Sequence, residues 1–165
     1  MTKSCFFSFH YVPDNSRAAQ VRNMGVLEGN APVSDNDWES LKRGGDGAIE
    51  KWIKGQLNGR VCTVVLVGTN TAGRKWINYE IQESWNSGKG LVGIHIHALK
   101  NFGGIQAPKG GNPFYGFTVG VQKQDLSSVV KLYDTPYVAS TDAYAYIKGN
   151  IAKWVEDAIQ IRSRY

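Results

Sequence analysis

Val61-Cys62-Thr63-Val64-Val65-Leu66-Val67, followed by Gly68-Thr69-Asn70-Thr71, decides the architecture of this chain. Seven uncharged residues, mostly β-branched, make a strand with no polar face. Such strands belong to a parallel sheet covered on both sides by helices. The glycine and small polar residues that follow suit a turn at the strand's carboxyl end. The flanking segments agree. Upstream, Asp46 caps a helix whose apolar positions Ile49, Trp52, Ile53 and Leu57 follow the 3.6-residue period until Asn58-Gly59 ends it. Downstream, Arg74 to Ser87 is a second amphipathic helix and Leu91 to Ile96 a further strand.

Further out, Cys5 to Phe9 is a short apolar β-type run, Pro13-Asp14-Asn15-Ser16 a polar turn, and Arg17 to Val26 a helix. Glu28 to Gly45 is rich in Gly, Asn, Pro, Ser and Asp, with Trp38 and Leu41 as its clear apolar anchors. It predicts a long irregular loop with at most one helical turn. Lys100 to Gly120 carries Gly103-Gly104, Pro108, Gly110-Gly111 and Pro113 and is mostly loop, with Phe114, Tyr115 and Phe117 anchored on the core and a short strand within Tyr115 to Val121. Thr141-Asp142 opens a final helix whose Tyr146, Ile147, Ile151, Trp154, Val155 and Ile161 form one stripe that covers a face of the sheet. Strands alternating with helices predict an α/β fold, a doubly wound parallel sheet of flavodoxin-like size with right-handed crossovers. The 165 residues suit one core, so residues 1–165 are expected to form a single domain.

The net charge of +5 favours an anionic partner, but the basic residues are scattered singly or in pairs such as Lys42-Arg43 and Arg74-Lys75. Without a basic stripe or an aromatic-interleaved motif to follow a phosphate backbone, no nucleic-acid partner is predicted. No run approaches the roughly 18 apolar residues of a membrane span, so no membrane partner is predicted either. The amino terminus reads as a first strand and not as a signal peptide, which predicts a cytoplasmic protein. Cys5 and Cys62 both lie in interior strands and are expected to be reduced thiols with no disulfide.

In a doubly wound sheet ligands bind outside the carboxyl ends of the strands. Three segments meet there: Ser8-Phe9-His10-Tyr11, Gly68-Thr69-Asn70-Thr71 and His97-Ala98. The helix after Thr69 brings Trp76 and Glu80 to the same edge, one turn apart. At roughly 100° per residue, Glu80 lies about 60° from Ile77, at the edge of the apolar arc through Ile77, Ile81 and Trp85, whereas Glu83 turns further toward water. Glu80 is therefore the acid to be partly desolvated beside an aromatic ring, the alternative being an ordinary solvated helix carboxylate. His10 is placed to contact a ligand, or is a partly exposed loop histidine. His95 and His97 share a strand face, but no Cys or Asp cluster joins them at ligand spacing, so no metal is predicted. The glycine pairs lack the Gly-Lys-Ser/Thr ending of a phosphate loop and read as turns.

Phe6-Phe7-Ser8-Phe9-His10-Tyr11 with Asp14 and Arg17, and Trp76-Ile77-Asn78-Tyr79-Glu80-Ile81, resemble the strand-end Ser-aromatic and the Trp-x-x-x-Glu of TIR domains. Arg17 to Asn23, Gly44-Gly45-Asp46 with Trp52-Ile53, Gly93-Ile94-His95-Ile96-His97 and Gly111-Asn112-Pro113-Phe114 resemble the TIR-like family that includes the sensor subunit of bacterial Thoeris anti-phage systems. The resemblance implies a flavodoxin-like fold and an enzyme that cleaves NAD, as substrate and with no cofactor, into a cyclic ADP-ribose-type signal for a separate Thoeris effector. It also implies a phage-derived trigger and a possible homo-oligomer. It makes Glu80 the catalytic residue and places Ser8, Phe9 and Trp76 around the substrate, to which the strand-end positions of His10 and Thr69 add two further substrate-binding candidates. The region Glu28 to Trp38 departs from the family's usual loop. A non-enzymatic TIR-like scaffold that binds a nucleotide or a protein is the alternative. A partly buried Glu80 in a cleft favours the enzyme; an exposed Glu80 beside a flat aromatic patch favours the scaffold.

Overall fold

The computed structural model describes residues 2–30 and 35–165. Strand β1 (Cys5–Phe9) leads into helix α1 (Tyr11–Arg22), then α2 (Asp35–Arg43) and α3 (Asp46–Leu57). Strand β2 (Cys62–Val67), helix α4 (Lys75–Asn86) and strand β3 (Gly90–His95) follow. Two short strands, β4 (Thr118–Val119) and β5 (Gln124–Asp125), pair antiparallel before β6 (Leu132–Tyr133) and the 23-residue α5 (Ser140–Arg162). The main sheet is parallel in the order β1-β2-β3-β6, with Cys5 opposite Cys62 and Val67 opposite His95.

All six residues of β2 are buried, as a strand without a polar face requires. On one side of the sheet Phe7, Val64, Leu66, Val92 and Ile94 pack with α1 and with Ile147, Ile151, Trp154 and Val155 of α5. On the other, Val65, Val67 and Leu91 meet Ile77, Ile81 and Trp85 of α4, while Phe6 meets Ile49, Ile53 and Leu57 of α3. Each such side chain contributes roughly 1.5–3 kcal/mol by leaving water. Helices thus cover both faces, the doubly wound α/β arrangement expected. Cys5 and Cys62 are free and buried, and a hydrogen bond with Cys5 together with burial raises the Cys62 thiol's pKa. Among the described residues no helix is long and apolar enough to cross a membrane.

Four local expectations need correction. Pro13 to Ser16 is not a turn but lies within α1, with Pro13 in the first turn, where a missing N–H costs nothing. Part of Glu28 to Gly45 is regular: α2 spans nine residues, Trp38 and Leu41 turn toward Trp52 and α3, and residues 31–34 lie outside the described residues. Asp46 is the first residue of α3, and Gly45, at φ 82°, precedes it as the cap. Phe114 is fully buried and Phe117 packs on the core, but Tyr115 is 71% exposed. Strand β6 is two residues long, too short for any periodicity to reveal.

The segment from Leu99 to Gly110 folds back over the carboxyl end of the sheet. Arg17 donates to Leu99 O and Ile105 O, both at 2.8 Å, and pairs with Asp14 Oδ1 at 3.0 Å, all of it buried or nearly so. Ala107 N–H donates to His97 O at 3.0 Å and Thr69 Oγ1 to Pro108 O at 2.6 Å. Gly110 lies so close to β2's turn that a Cβ there would sit 2.0 Å from Gly68 O and 2.8 Å from Thr69 O. Both obstacles are backbone, so Gly110→Ala is expected to cost about 1–3 kcal/mol, read as a lower midpoint in urea unfolding.

Candidate active site

Ser8 and Glu80 come from neighbouring elements. Alternation along β1 sends Cys5 and Phe7 toward α1 and α5, and Phe6 and Ser8 toward α3 and α4. Ser8 Oγ donates to Glu80 Oε1 at 3.1 Å, 72 residues away in sequence. Glu80 is 8% exposed, more buried than its angular position alone requires, because Ser84 extends the buried arc of α4 on its side. Burial pushes its carboxyl from the ordinary 4.5 up to about 8, and the Ser8 hydrogen bond pulls the other way. Ser8→Ala should therefore move the Glu80 titration to still higher pH, readable by carboxyl-carbon NMR; an unchanged titration would remove Ser8 from the site.

A cavity of about 550 Å³ opens beside this pair, along the outer edge of β1. That edge is covered by the return of the chain after α1: Glu28 O accepts from Cys5 N–H at 2.7 Å and Asn30 Oδ1 from Phe7 N–H at 2.8 Å, while Ser4 and Glu28 form an isolated parallel bridge. Phe9, stacked on Tyr11 with centroids 6.2 Å apart, and Trp38, Trp52 and Trp76 supply aromatic wall. Trp76 stands edge-on to Tyr79 at 5.7 Å, with the Lys75 ammonium 4.9 Å above its ring. Arg22, Lys42, Arg74 and Lys75 add cations, and among the described residues Glu80 is the one carboxylate of the lining. Helix α4 starts at the cavity with no acidic residue in its first turn and no side-chain cap, so the positive end of its dipole is uncompensated.

Of the residues expected around the site, Phe9, His10, Trp76 and Glu80 line the cavity, and Ser8 lies behind Glu80. His10 precedes α1, and burial, then the charge of Arg74, lowers its pKa and keeps it neutral at pH 7. Thr69 is outside the lining, its hydroxyl spent on Pro108 O. His97 is also elsewhere. It packs edge-on to His95 at 5.5 Å under the 99–110 segment, near Asp134 and Lys109, and burial drives the pKa of both imidazoles down, His95 to about 4. Among the described residues no three His, Cys, Asp or Glu side chains are grouped to hold a metal ion. Arg22, Asn30, Lys42 and the Trp38-Trp52 pair were not expected here; they arrive from separate helices and a loop, and no motif marks them.

A parallel α/β sheet with helices on both faces, and a buried acid one turn after a tryptophan on the helix that follows the second strand, defines a TIR-like domain. The chain belongs to the family described as Thoeris protein ThsB, TIR-like domain, whose model matches residues 6–101, more than half of the 165. Every described residue of the cavity lining lies within that match. The chain is also similar to a protein of Bacillus cereus (strain MSX-D12) named "Putative cyclic ADP-D-ribose synthase ThsB1", with 42% identity over 119 residues, 69% of this chain and 62% of that relative. The chain thus spans less than two thirds of the relative's length.

Proposed function

We propose that this chain cleaves the N-glycosidic bond of NAD and cyclises the ADP-ribose into a signalling nucleotide that activates a separate Thoeris effector after phage infection. Glu80 carries this reading: a buried carboxyl in an aromatic, cation-rimmed cavity is what the chemistry needs, and a scaffold needs neither. The name of the Bacillus relative supports the same activity.

In the reaction the bond from ribose C1′ to the pyridinium nitrogen breaks, its electron pair leaves with neutral nicotinamide, and C1′ becomes oxocarbenium-like. Glu80, ionised as the pyridinium approaches, stabilises that cation in a site where few waters compete. Trp76 or Phe9 offers a face for the departing ring. A ribose hydroxyl or an adenine nitrogen of the same molecule then bonds to C1′, so NAD yields nicotinamide, a cyclic ADP-ribose and, overall, one proton. Exclusion of water selects this closure over hydrolysis. The trigger, the effector and self-assembly follow the family resemblance.

The test is mass spectrometry of nucleotides in cells expressing the chain, with and without phage challenge, wild type against Glu80→Gln. A species lighter than ADP-ribose by one water, present only with Glu80, supports the enzyme. No Glu80-dependent product under several unrelated phages supports the scaffold.

A further inference from the structure

Arg22 ends α1 and lines the same cavity as Glu80. Its Nε is buried with no hydrogen-bond partner, and among the described residues no carboxylate forms an ion pair with it. The contrast with Arg17, five residues earlier on the same helix, is informative. Arg17 is fully engaged, with Nε on Leu99 O and its terminal nitrogens on Asp14 and Ile105 O. A guanidinium nitrogen buried without an acceptor is unfavourable on its own, so the half-buried Arg22 is set to take an anionic partner that enters the cavity.

The other cations of the wall narrow the choice. Lys75 is paired with Asp46, and Lys42 with Glu39 at 3.2 Å, whereas Arg74 has no such partner among the described residues. Half-buried Arg22 and exposed Arg74 thus have no carboxylate partner among the described residues, and both line a cavity whose aromatic walls suit planar rings. Rings alone do not answer two guanidinium groups. A pair of phosphates joined by a phosphoanhydride bridge does, since guanidinium forks match phosphate oxygens two at a time.

We propose that Arg22 and Arg74 seat the diphosphate of a dinucleotide, with Arg22 as the principal anchor. The proposal rests on the reading of this cavity as a dinucleotide site and adds which side chains hold its bridge.

The test measures binding by calorimetry in the Glu80→Gln background, which prevents turnover. The ligands are NAD, ADP-ribose, inorganic pyrophosphate and nicotinamide riboside, which has no phosphate. Arg22→Gln should weaken NAD, ADP-ribose and pyrophosphate by about 10- to 100-fold and leave nicotinamide riboside within about threefold, with Arg22→Lys in between. Circular dichroism and the unfolding midpoint confirm that each variant is folded. If Arg22→Gln binds all four as its parent does, the anchor is wrong while the dinucleotide reading stands. If pyrophosphate binds through Arg22 but NAD does not bind, the anion seat stands and the dinucleotide reading falls. If neither pyrophosphate nor NAD binds the parent, both fall.

Discussion

Glu80→Gln is expected to lower kcat/KM for NAD by about 1000-fold or more while the protein stays folded. The amide matches the carboxylate in shape and its oxygen still accepts from Ser8, so packing survives, but the amide cannot ionise against the oxocarbenium. In the wild type kcat/KM should rise with pH through a midpoint near 8 and level off above it, since only the ionised form of the free enzyme does the work. Bound NAD brings a positive pyridinium, which favours that form and should move the limb in kcat to lower pH. Steady-state rates between pH 6 and 9 decide this. A flat profile in the wild type, or an active Glu80→Gln, would remove Glu80 from the chemistry.

The same carboxyl affects stability. Between 4.5 and 8 the folded chain keeps a proton that the unfolded chain has released, so the unfolded state binds fewer protons and stability falls as pH rises. The contribution is whole below about 4.5 and gone above about 8, with an upper limit of about 5 kcal/mol. Glu80→Gln has no such titration. Urea unfolding at pH 5 and pH 9 should show the variant gaining on the wild type as pH rises.

Arg17→Met is expected to destabilise the fold by about 3–5 kcal/mol. It strands the Asp14 carboxyl, 3% exposed, and releases the carbonyls of Leu99 and Ile105. Burial already raises the Asp14 pKa, and the hydrogen bond and charge of Arg17 hold it back, so the carboxyl left behind must take up a proton or remain a buried charge. Removing both partners, as in Asp14→Asn with Arg17→Met, should restore much of the loss, because an uncompensated buried ion costs more than an absent pair. Equal midpoints for the single and double variants would show that the damage comes from the freed segment and not from Asp14.

Much of this architecture was legible in the residues. Val61 to Val67 has no polar face and reads as an interior strand, as Cys62 to Val67 is, and Ile49 to Leu57, Arg74 to Ser87 and the Tyr146 to Ile161 stripe keep helical period. What failed was local. Pro13-Asp14-Asn15-Ser16 has turn composition, yet proline and an acid also suit a helix's first turn, and here the buried i,i+3 Asp14-Arg17 pair, with Arg17 bonded to Leu99 O and Ile105 O, settles the matter. Helix α2 shows only two apolar anchors, Trp38 and Leu41, too few to reveal nine helical residues. At the site, Ser8 and Glu80 could be found because a strand end and a helix angle are properties of sequence spacing. Arg22, Asn30 and Lys42 could not, since their meeting depends on how α1, the covering of β1's edge and α2 close around β1.

The way the 99–110 segment is fastened bears on which changes this chain can accept. Its moorings are mostly main-chain: the carbonyls of Leu99, Ile105 and Pro108, the amide of Ala107 and the bare Cα of Gly110. Such moorings read where the backbone is and not which side chain it carries. Exposed positions between them, such as Phe102, are open to drift in identity. Their number is not, because each insertion or deletion moves every later mooring out of reach.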